Sequence, residues 1–485
     1  MTDRSSSFAR LAGRPTPRVE TDGGTDESRP NVLWAFMDDV SPWFPCYGDE
    51  TVETPNIDRL AADGVCFDRM YSTAPVCTPS RSAVVTGMHQ TTIGAHNHYS
   101  SFDRFRGTEI DEWDPNHLGV RTVPEIFRSA GYYTFNEGKN HYNFVDNDEA
   151  LYHRSAGTET KGAESDPGYK GEAHTDWHGR DSGQPFFGQI QLRGGKADVD
   201  DDIDRVEPET VDVPPYYPDH PVYQREIAHH YDTIQQMDRE LGTVLSALEA
   251  DGLTNDTVIW FFSDHGMRLP RHKQFCYEGG IHVPALVAGP GVPSGDVRSD
   301  LVSGIDIGPT SLALAGIETP STMEGQNAFG PEFNHECVVA ARDRCDYTID
   351  RIRTVVTDRY KYIRNFMPDR PYLQPQYRDG RDSMRVLKEL HEQGDLDKVQ
   401  SSFVSEDRPA EELYDLDTDP HETENLVSSP DREHQEALGR LRRHLRQWID
   451  ETDDQGQYPE SDAALTAVVD RWGEDAVDPR YDRVR

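Results

Sequence analysis

The chain has 485 residues, more than one ordinary domain needs, so a large domain with a smaller companion is the starting expectation. Its 88 acidic residues outnumber 49 basic ones for a net charge of -39, a field that repels phosphate backbones and anionic lipid and excludes nucleic-acid or membrane binding through a basic patch. The basic residues are 8 Lys against 41 Arg. Acid excess with Lys depletion predicts a halophilic protein, whose carboxylates hold water while salt screens their repulsion within about 3 Å at 1 M.

Residues 1–29 lack the apolar run of a secretory signal and read as a mobile tail, and no stretch approaches the ~20 apolar residues that span a bilayer; the expected location is cytoplasmic. Order begins at Pro30. The run NVLWAF (31–36), ending in Asp38 and Asp39, fits a buried parallel strand whose carboxyl edge carries polar residues. A helix follows from Thr54, with Pro55 in its first turn, Ile57 and Leu60 on one face and Gly64 as stop. Thr122 to Ala130 repeats that signature, and Gly131 to Asn136 reads as the next strand. Between Tyr152 and Pro221 the composition turns to Gly, Asp, Glu, Ser and Pro, interrupted by the strand QPFFGQIQL (184–192); the acidic run Asp198–Asp204 reads as a solvated loop. Ile227, Tyr231, Ile234, Met237, Leu241, Val244, Leu245 and Leu248 mark one face of a long helix over 225–250. The strands TVIWFFSDHG (257–266) and VPALVAGPG (283–291) complete a pattern of alternating strands and helices. This is α/β: a large, mostly parallel central sheet flanked by helices, over residues 30–335.

From 336 to 485 the pattern changes. VVAA, RIRTVVT and KYIRN are short strands, and Leu438, Leu441, Leu445, Trp448 and Ile449 mark one amphipathic helix, giving a smaller α+β unit. Six cysteines (46, 66, 77, 276, 337, 345) show no CxxC pair and are too sparse for a disulfide scaffold; those other than Cys77 are expected as buried thiols.

Two strand ends deliver chemistry to one sheet edge, Asp38 with Asp39 and Asp264 with His265. Three carboxylates and an imidazole suit a hard divalent cation, with helix caps or solvated turns as the alternative in so acidic a chain. The run APVCTPSRSAVVTG (74–87) is sharper: Cys77, Pro79 and Arg81 form C-x-P-x-R ahead of a small-residue helix start, where a helix N-terminus and an Arg bind anions and acidify a thiol.

These residues resemble the sulfatase family. Its signature C-x-P-S-R, a small-residue stretch and T-G is matched by Cys77, Pro79, Ser80, Arg81, Thr86 and Gly87. RPNVLWAFMDD, TPNIDRLAADGVCFDRMYSTAPVC, EGKNH (137–141), SDHG, YEGGIHVPALVAGPG and ELYDLDTDPHETENL are also similar to family elements, spread from residue 30 to about 426. SSFDRFRG, the GKNH region and SDHGMRLPRHK most resemble the heparan N-sulfatase branch. The resemblance implies an alkaline-phosphatase-like fold and a Cys77 converted by a maturation enzyme to formylglycine, whose hydrate is the nucleophile. It places the metal, Ca²⁺ in the family, on Asp38, Asp39, Asp264, His265 and residue 77. Arg81 and Lys139 would hold the hydrate, Lys273 would contact sulfate oxygens, and His141 would be the base that releases sulfate. The implied substrate is a small sulfate ester or sulfamate, glycan-like.

One position departs from the family. Its P-H element after the central strand is replaced by QLRGGK (191–196), which leaves Lys196 or His272 as candidate acid for the leaving group. Two other readings stand beside the sulfatase: a phosphonate or phosphodiester hydrolase on the same scaffold, and a non-catalytic binder of sulfated glycans. His96 and His98 border the pocket or pack elsewhere; His229 and His230 belong to the long helix; Phe366, Tyr372 and Gln374 form either a substrate rim or an interdomain crossing.

Overall fold

A computed structural model describes residues 29–99, 119–144, 148–155 and 175–485; the expected tail before Arg29 and the SSFDRFRG segment lie outside them. In chain order the large unit contains β1 (Asn31–Met37), α1 (Pro55–Asp63), β2 (Gly64–Phe67), α2 (Cys77–Thr86), α3 (Val123–Ser129), β3 (Tyr133–Asn136), β4 (Arg154–Ser155) and β5 (Phe186–Gln191). The long helix α4 (Pro221–Ala250), β6 (Thr257–Ser263), β7 (Ala285–Ala288), β8 (Asp296–Arg298) and α5 (Ile307–Leu314) follow. The eight strands make one sheet in the order β4-β3-β5-β1-β6-β7-β2-β8. It is mostly parallel, as expected; β7 alone runs antiparallel to both its neighbours.

The alternation along β1 shows how the core is built. Leu33, Ala35 and Met37 face a cluster that includes Ile57 and Leu60 of α1 and the apolar stripe of α4. Val32, Trp34 and Phe36 face Val123, Ile126 and Phe127 of α3 and Ile307 and Leu312 of α5. β1 is buried on both faces and apolar from Val32 to Met37, so the polar residues that follow, Asp38 and Asp39, mark where it leaves the sheet.

The smaller unit is an antiparallel sheet, β9 (Val338–Arg342), β10 (Ile352–Val356), β11 (Tyr360–Asn365) and β12 (Glu411–Asp415), ordered along the chain. Around it lie α6 (Asp382–Gln393), α7 (Lys398–Val404), α8 (Arg432–Glu451) and α9 (Asp462–Trp472). Leu438, Leu441 and Leu445 of α8 pack onto Val339, Val355 and Leu413, as their spacing predicts. The expectation for the cysteines needs correcting: Cys66, Cys276 and Cys345 are buried, but Cys46, in a single 3₁₀ turn (Pro45–Tyr47), and Cys337, just before β9, are only half-buried at the edges of their clusters. No helix among the described residues is long and apolar enough to cross a membrane.

Candidate active site

Register decides where the polar residues emerge. Met37 pairs with Ser263 across the parallel β1–β6 ladder, so the next residues, Asp38 and Asp264, leave the sheet side by side. On the other flank of β1, Phe36 pairs with Gln191, and the turn after β5 brings Lys196 to the same edge. Asn136 of β3 pairs with Gln189, which delivers the segment holding Lys139 and His141. Residue 77 opens α2, with Arg81 one turn further in.

The sequence-predicted residues meet there. Arg81 grips Asp38 and donates through Nε to Asp264 Oδ2 at 3.0 Å, with its guanidinium 4.5 Å above the Phe36 ring. Lys139 Nζ lies 2.6 Å from Asp38 Oδ2, and Lys273 Nζ lies 2.7 Å from Asp39 Oδ1 and 3.4 Å from Cys77 Sγ. Lys196 Nζ stands between the two acids, 3.1 Å from Asp38 Oδ2 and 3.2 Å from Asp39 Oδ2. His265 Nδ1 donates to the Gly266 carbonyl at 2.8 Å, and its Nε2 faces Cys77 Sγ at 3.1 Å. His141 Nε2 donates to the Tyr99 carbonyl at 2.7 Å, so its lone pair is on Nδ1.

Electrostatics separate the three carboxylates. Burial pushes all of them up, but Arg81, Lys139 and Lys196 hold Asp38 well below the usual range, and Lys273 and Lys196 do the same for Asp39. Asp264 instead is pushed up to about 7 by burial and by the neighbouring Asp38 charge, and its buried Oδ1 accepts no hydrogen bond. An under-compensated carboxylate oxygen within 4.8 Å of a thiol sulfur and an imidazole nitrogen fits a divalent cation, which would displace any proton on that nitrogen. Burial raises the Cys77 thiol, yet Lys139, Lys273 and His265 bring it well below its ordinary value, so this is a place built for negative charge at residue 77. Burial and the Lys139 charge lower His141 to about 4, leaving it neutral and able to take a proton.

His272 is not brought into contact with the acid cluster. It is buried against Trp43, Tyr216 and Tyr217, bonded to the Tyr216 hydroxyl at 2.9 Å, and lowered to about 3 by burial. His98 does border the pocket, bonded to Thr78 Oγ1 at 2.9 Å with its ring 5.6 Å from that of His141. His96 is half-buried beyond it, while His230 lies under the Gly194–Gly195 turn. Tyr372 and Gln374 are structural: Tyr372 donates to Glu412 at 2.7 Å, Gln374 to Asp350 at 3.3 Å, and Phe366 lies under Arg351. Sequence reasoning missed Thr78, whose hydroxyl links His98 and His141, and the reason for the two glycines before Lys196. A Cβ at Gly194 would stand 2.3 Å from the Asp38 carbonyl oxygen, and one at Gly195 2.2 Å from that of Asp39.

The sulfatase family model matches residues 30–317, and a model described as N-sulphoglucosamine sulphohydrolase, C-terminal, matches residues 265–406. The chain belongs to the sulfatase family and is a sulfuric ester hydrolase. It is 33% identical to an ulvan-active sulfatase of Formosa agariphila, over 90% of this chain and 77% of that protein. To human N-sulphoglucosamine sulphohydrolase it is 26% identical over 89% of this chain and 92% of the other. Among solved structures, a 2-O GAG sulfatase superposes with a TM-score of 0.64 at 20% identity, covering 89% of this chain and 95% of that one, which places the fold in the alkaline-phosphatase-like class.

Proposed function

We propose that this sulfatase removes sulfate from a sulfated glycan, using a formylglycine made from Cys77 and a Ca²⁺ ion held by Asp38, Asp39, Asp264, His265 and residue 77. The observation that carries this reading is the position of Cys77 Sγ, at a helix N-terminus, 3.1 Å from His265 and 3.4 Å from Lys273. The relatives add a substrate class: one is named for ulvan, another for N-sulphoglucosamine. Once present, the aldehyde hydrate supplies the nucleophile and the cation a Lewis acid for the sulfuryl oxygens.

The chain's own groups do the rest. Arg81 fixes Asp38 and Asp264, and Lys139 fixes Asp38 while its charge favours an anion at residue 77. Lys273, fixed by Asp39, offers its ammonium to charge developing on the sulfuryl oxygens. Lys196, a third exposed at its side chain, is the group placed to protonate the departing oxygen or nitrogen. His141, neutral and with its lone pair on Nδ1, would be the base that takes a proton at that atom as sulfate is released. Cys77 is 2% exposed, so its conversion by a maturation enzyme must precede folding.

Mass spectrometry of the peptide spanning Cys77, combined with elemental analysis and a panel of sulfated substrates, tests the reading. Formylglycine, one equivalent of calcium and sulfate release that disappears on chelation are expected. Full activity with an unmodified thiol or with no bound metal would refute it.

A further inference from the structure

Beside the pocket the sign of the protein's charge reverses. Lys196 is followed by a connected set of arginines: Arg268 Nη1 donates to the Lys196 carbonyl at 3.3 Å, and Arg378 donates to the Arg268 carbonyl at 2.7 Å and to the Lys273 carbonyl at 2.8 Å. The Arg381 amide in turn donates to the Arg378 carbonyl at 3.0 Å, and the Arg381 charge acts on both Arg268 and Arg378. Among the described residues, no carboxylate oxygen comes within ion-pair distance of Arg268 or Arg378, and the acid paired to Arg381 is Glu226 at 3.6 Å. The Nε atoms of Arg378 and Arg381 are buried without a hydrogen-bond partner.

In a chain of net charge -39, where buried Arg81, Arg344, Arg353 and Arg408 are each paired with a carboxylate, this cluster stands apart; buried Arg271 also lacks an ion pair among the described residues, but the carbonyls of His421 and Glu422 hold it singly. Arg353 has Asp343 and Asp454, Arg408 has Asp350, and Arg344 has Glu460. Under-compensated cations that repel one another cost free energy unless an anion joins them. Burial lowers the Arg268 pKa and the Arg381 charge lowers it further, against the charges of Glu226, Asp39 and Asp198, which pull it up from beyond ion-pair distance.

We infer that Arg268 and Arg381 form an anion subsite next to the sulfate pocket, which takes a second anionic substituent of the glycan, a uronate carboxylate or a further sulfate. Arg378, 6% exposed, is a positioning residue beneath it, and through the carbonyls of Arg268 and Lys273 it ties the subsite to the pocket. Arg381 and Lys196, with 30% and 34% of their side chains exposed, leave the ridge open to a ligand. The inference rests on the sulfatase reading of the pocket, and it narrows the substrate to a glycan with at least two negative charges.

The test compares 4-nitrophenyl sulfate with three sulfated oligosaccharides: one bearing a uronate, the same one with its carboxyl reduced to the alcohol, and one bearing a second sulfate. Arg268→Gln and Arg381→Gln should raise KM for a dianionic substrate by about 10-fold or more relative to 4-nitrophenyl sulfate, the effect of one lost charge-assisted hydrogen bond. The carboxyl-reduced sugar should behave like the aryl sulfate, and Arg268→Lys should recover part of the loss. Whether the uronate or the disulfate shows the larger change tells which anion the subsite takes. A change equal for all four substrates, or none for any, overturns the inference. Calorimetric binding of the unsulfated uronate oligosaccharide separates the two readings. If it binds and the arginine variants weaken it while no sulfate is ever released, the sulfatase reading fails and the subsite stands; if binding ignores both variants, or is absent for uronate and disulfate alike, the subsite fails.

Discussion

Lys196 offers the sharpest test of the chemistry, because geometry alone allows two roles for it. Its Nζ lies 3.1 Å from Asp38 Oδ2 and 3.2 Å from Asp39 Oδ2, yet a third of the side chain faces solvent, so it spans the acid pair and the entrance. If it protonates the leaving group, Lys196→Ala removes a contribution of about 10²- to 10⁴-fold, roughly 3 to 5 kcal/mol, from hydrolysis of sugar sulfates. An activated aryl sulfate, whose leaving oxygen needs little protonation, should lose less than about 10-fold by the same logic. If Lys196 only neutralises Asp38 and Asp39 or grips a sulfuryl oxygen, both substrates share that loss, because both present the same group to the same acids. The assay is kcat/KM on 4-nitrophenyl sulfate and on an alkyl or sugar sulfate, with calcium content measured to confirm that the acid pair is intact. Equal losses on the two substrates at full calcium occupancy would refute the acid role, and so would no loss on either.

Gly195→Ala should be poorly tolerated, because its Cβ would come 2.2 Å from the Asp39 carbonyl and 2.8 Å from His230 Nδ1; a loss of about 1–3 kcal/mol from overpacking is expected in denaturant melts, with weakened calcium binding by calorimetry. His272 predicts a pH dependence of stability. Burial holds its folded-state pKa near 3, below the ordinary 6.5, so the unfolded chain binds the extra proton first and stability falls as pH drops from about 6.5 towards 3. Each pH unit in that window costs about 1.4 kcal/mol, so His272→Gln should have a stability-pH curve shallower than the parent by that slope between pH 6 and 4. Parallel curves for the two proteins would show that the imidazole is protonated when folded.

Much of this was legible because a parallel sheet writes its topology in simple signs. A fully buried strand is apolar end to end, so NVLWAF and TVIWFF announced β1 and β6, and the polar residues after each announced the active edge. Caps did the same for helices: Pro55 starts α1, and the Thr122 hydroxyl accepts from the Glu125 amide at the start of α3. Strands β2 and β8 were not legible. GVCF is four residues running directly out of a helix, and DVR is a short exposed edge, so neither shows a period. The fourth strand of the smaller sheet, EELYD, was noticed as family-like but has too little alternation to declare itself. Within the site, the ligand types could be read but not their balance. That Asp264 is the carboxylate left short of positive charge follows from Arg81 being shared with Asp38, a matter of three-dimensional placement.

The lysines carry the last step. Arg outnumbers Lys 41 to 8 in this chain, yet three of those eight, Lys139, Lys196 and Lys273, reach the two aspartates at the end of β1. A guanidinium is a wide planar fork that suits paired carboxylates, whereas an ammonium is a compact charge that fits between single oxygens closing on one point. Arg81 uses the fork, bridging Asp38 and Asp264. The three lysines instead converge on Asp38 and Asp39 from three different loops. With Arg81 they bring four positive charges against three carboxylates and a residue 77 where negative charge is favoured, a concentration of cations inside a protein of net charge -39. Were the substrate the sulfated glycan proposed above, it would meet a protein of net charge -39 whose pocket lysines, Arg81 and the proposed Arg268–Arg381 subsite are the cations placed to orient it.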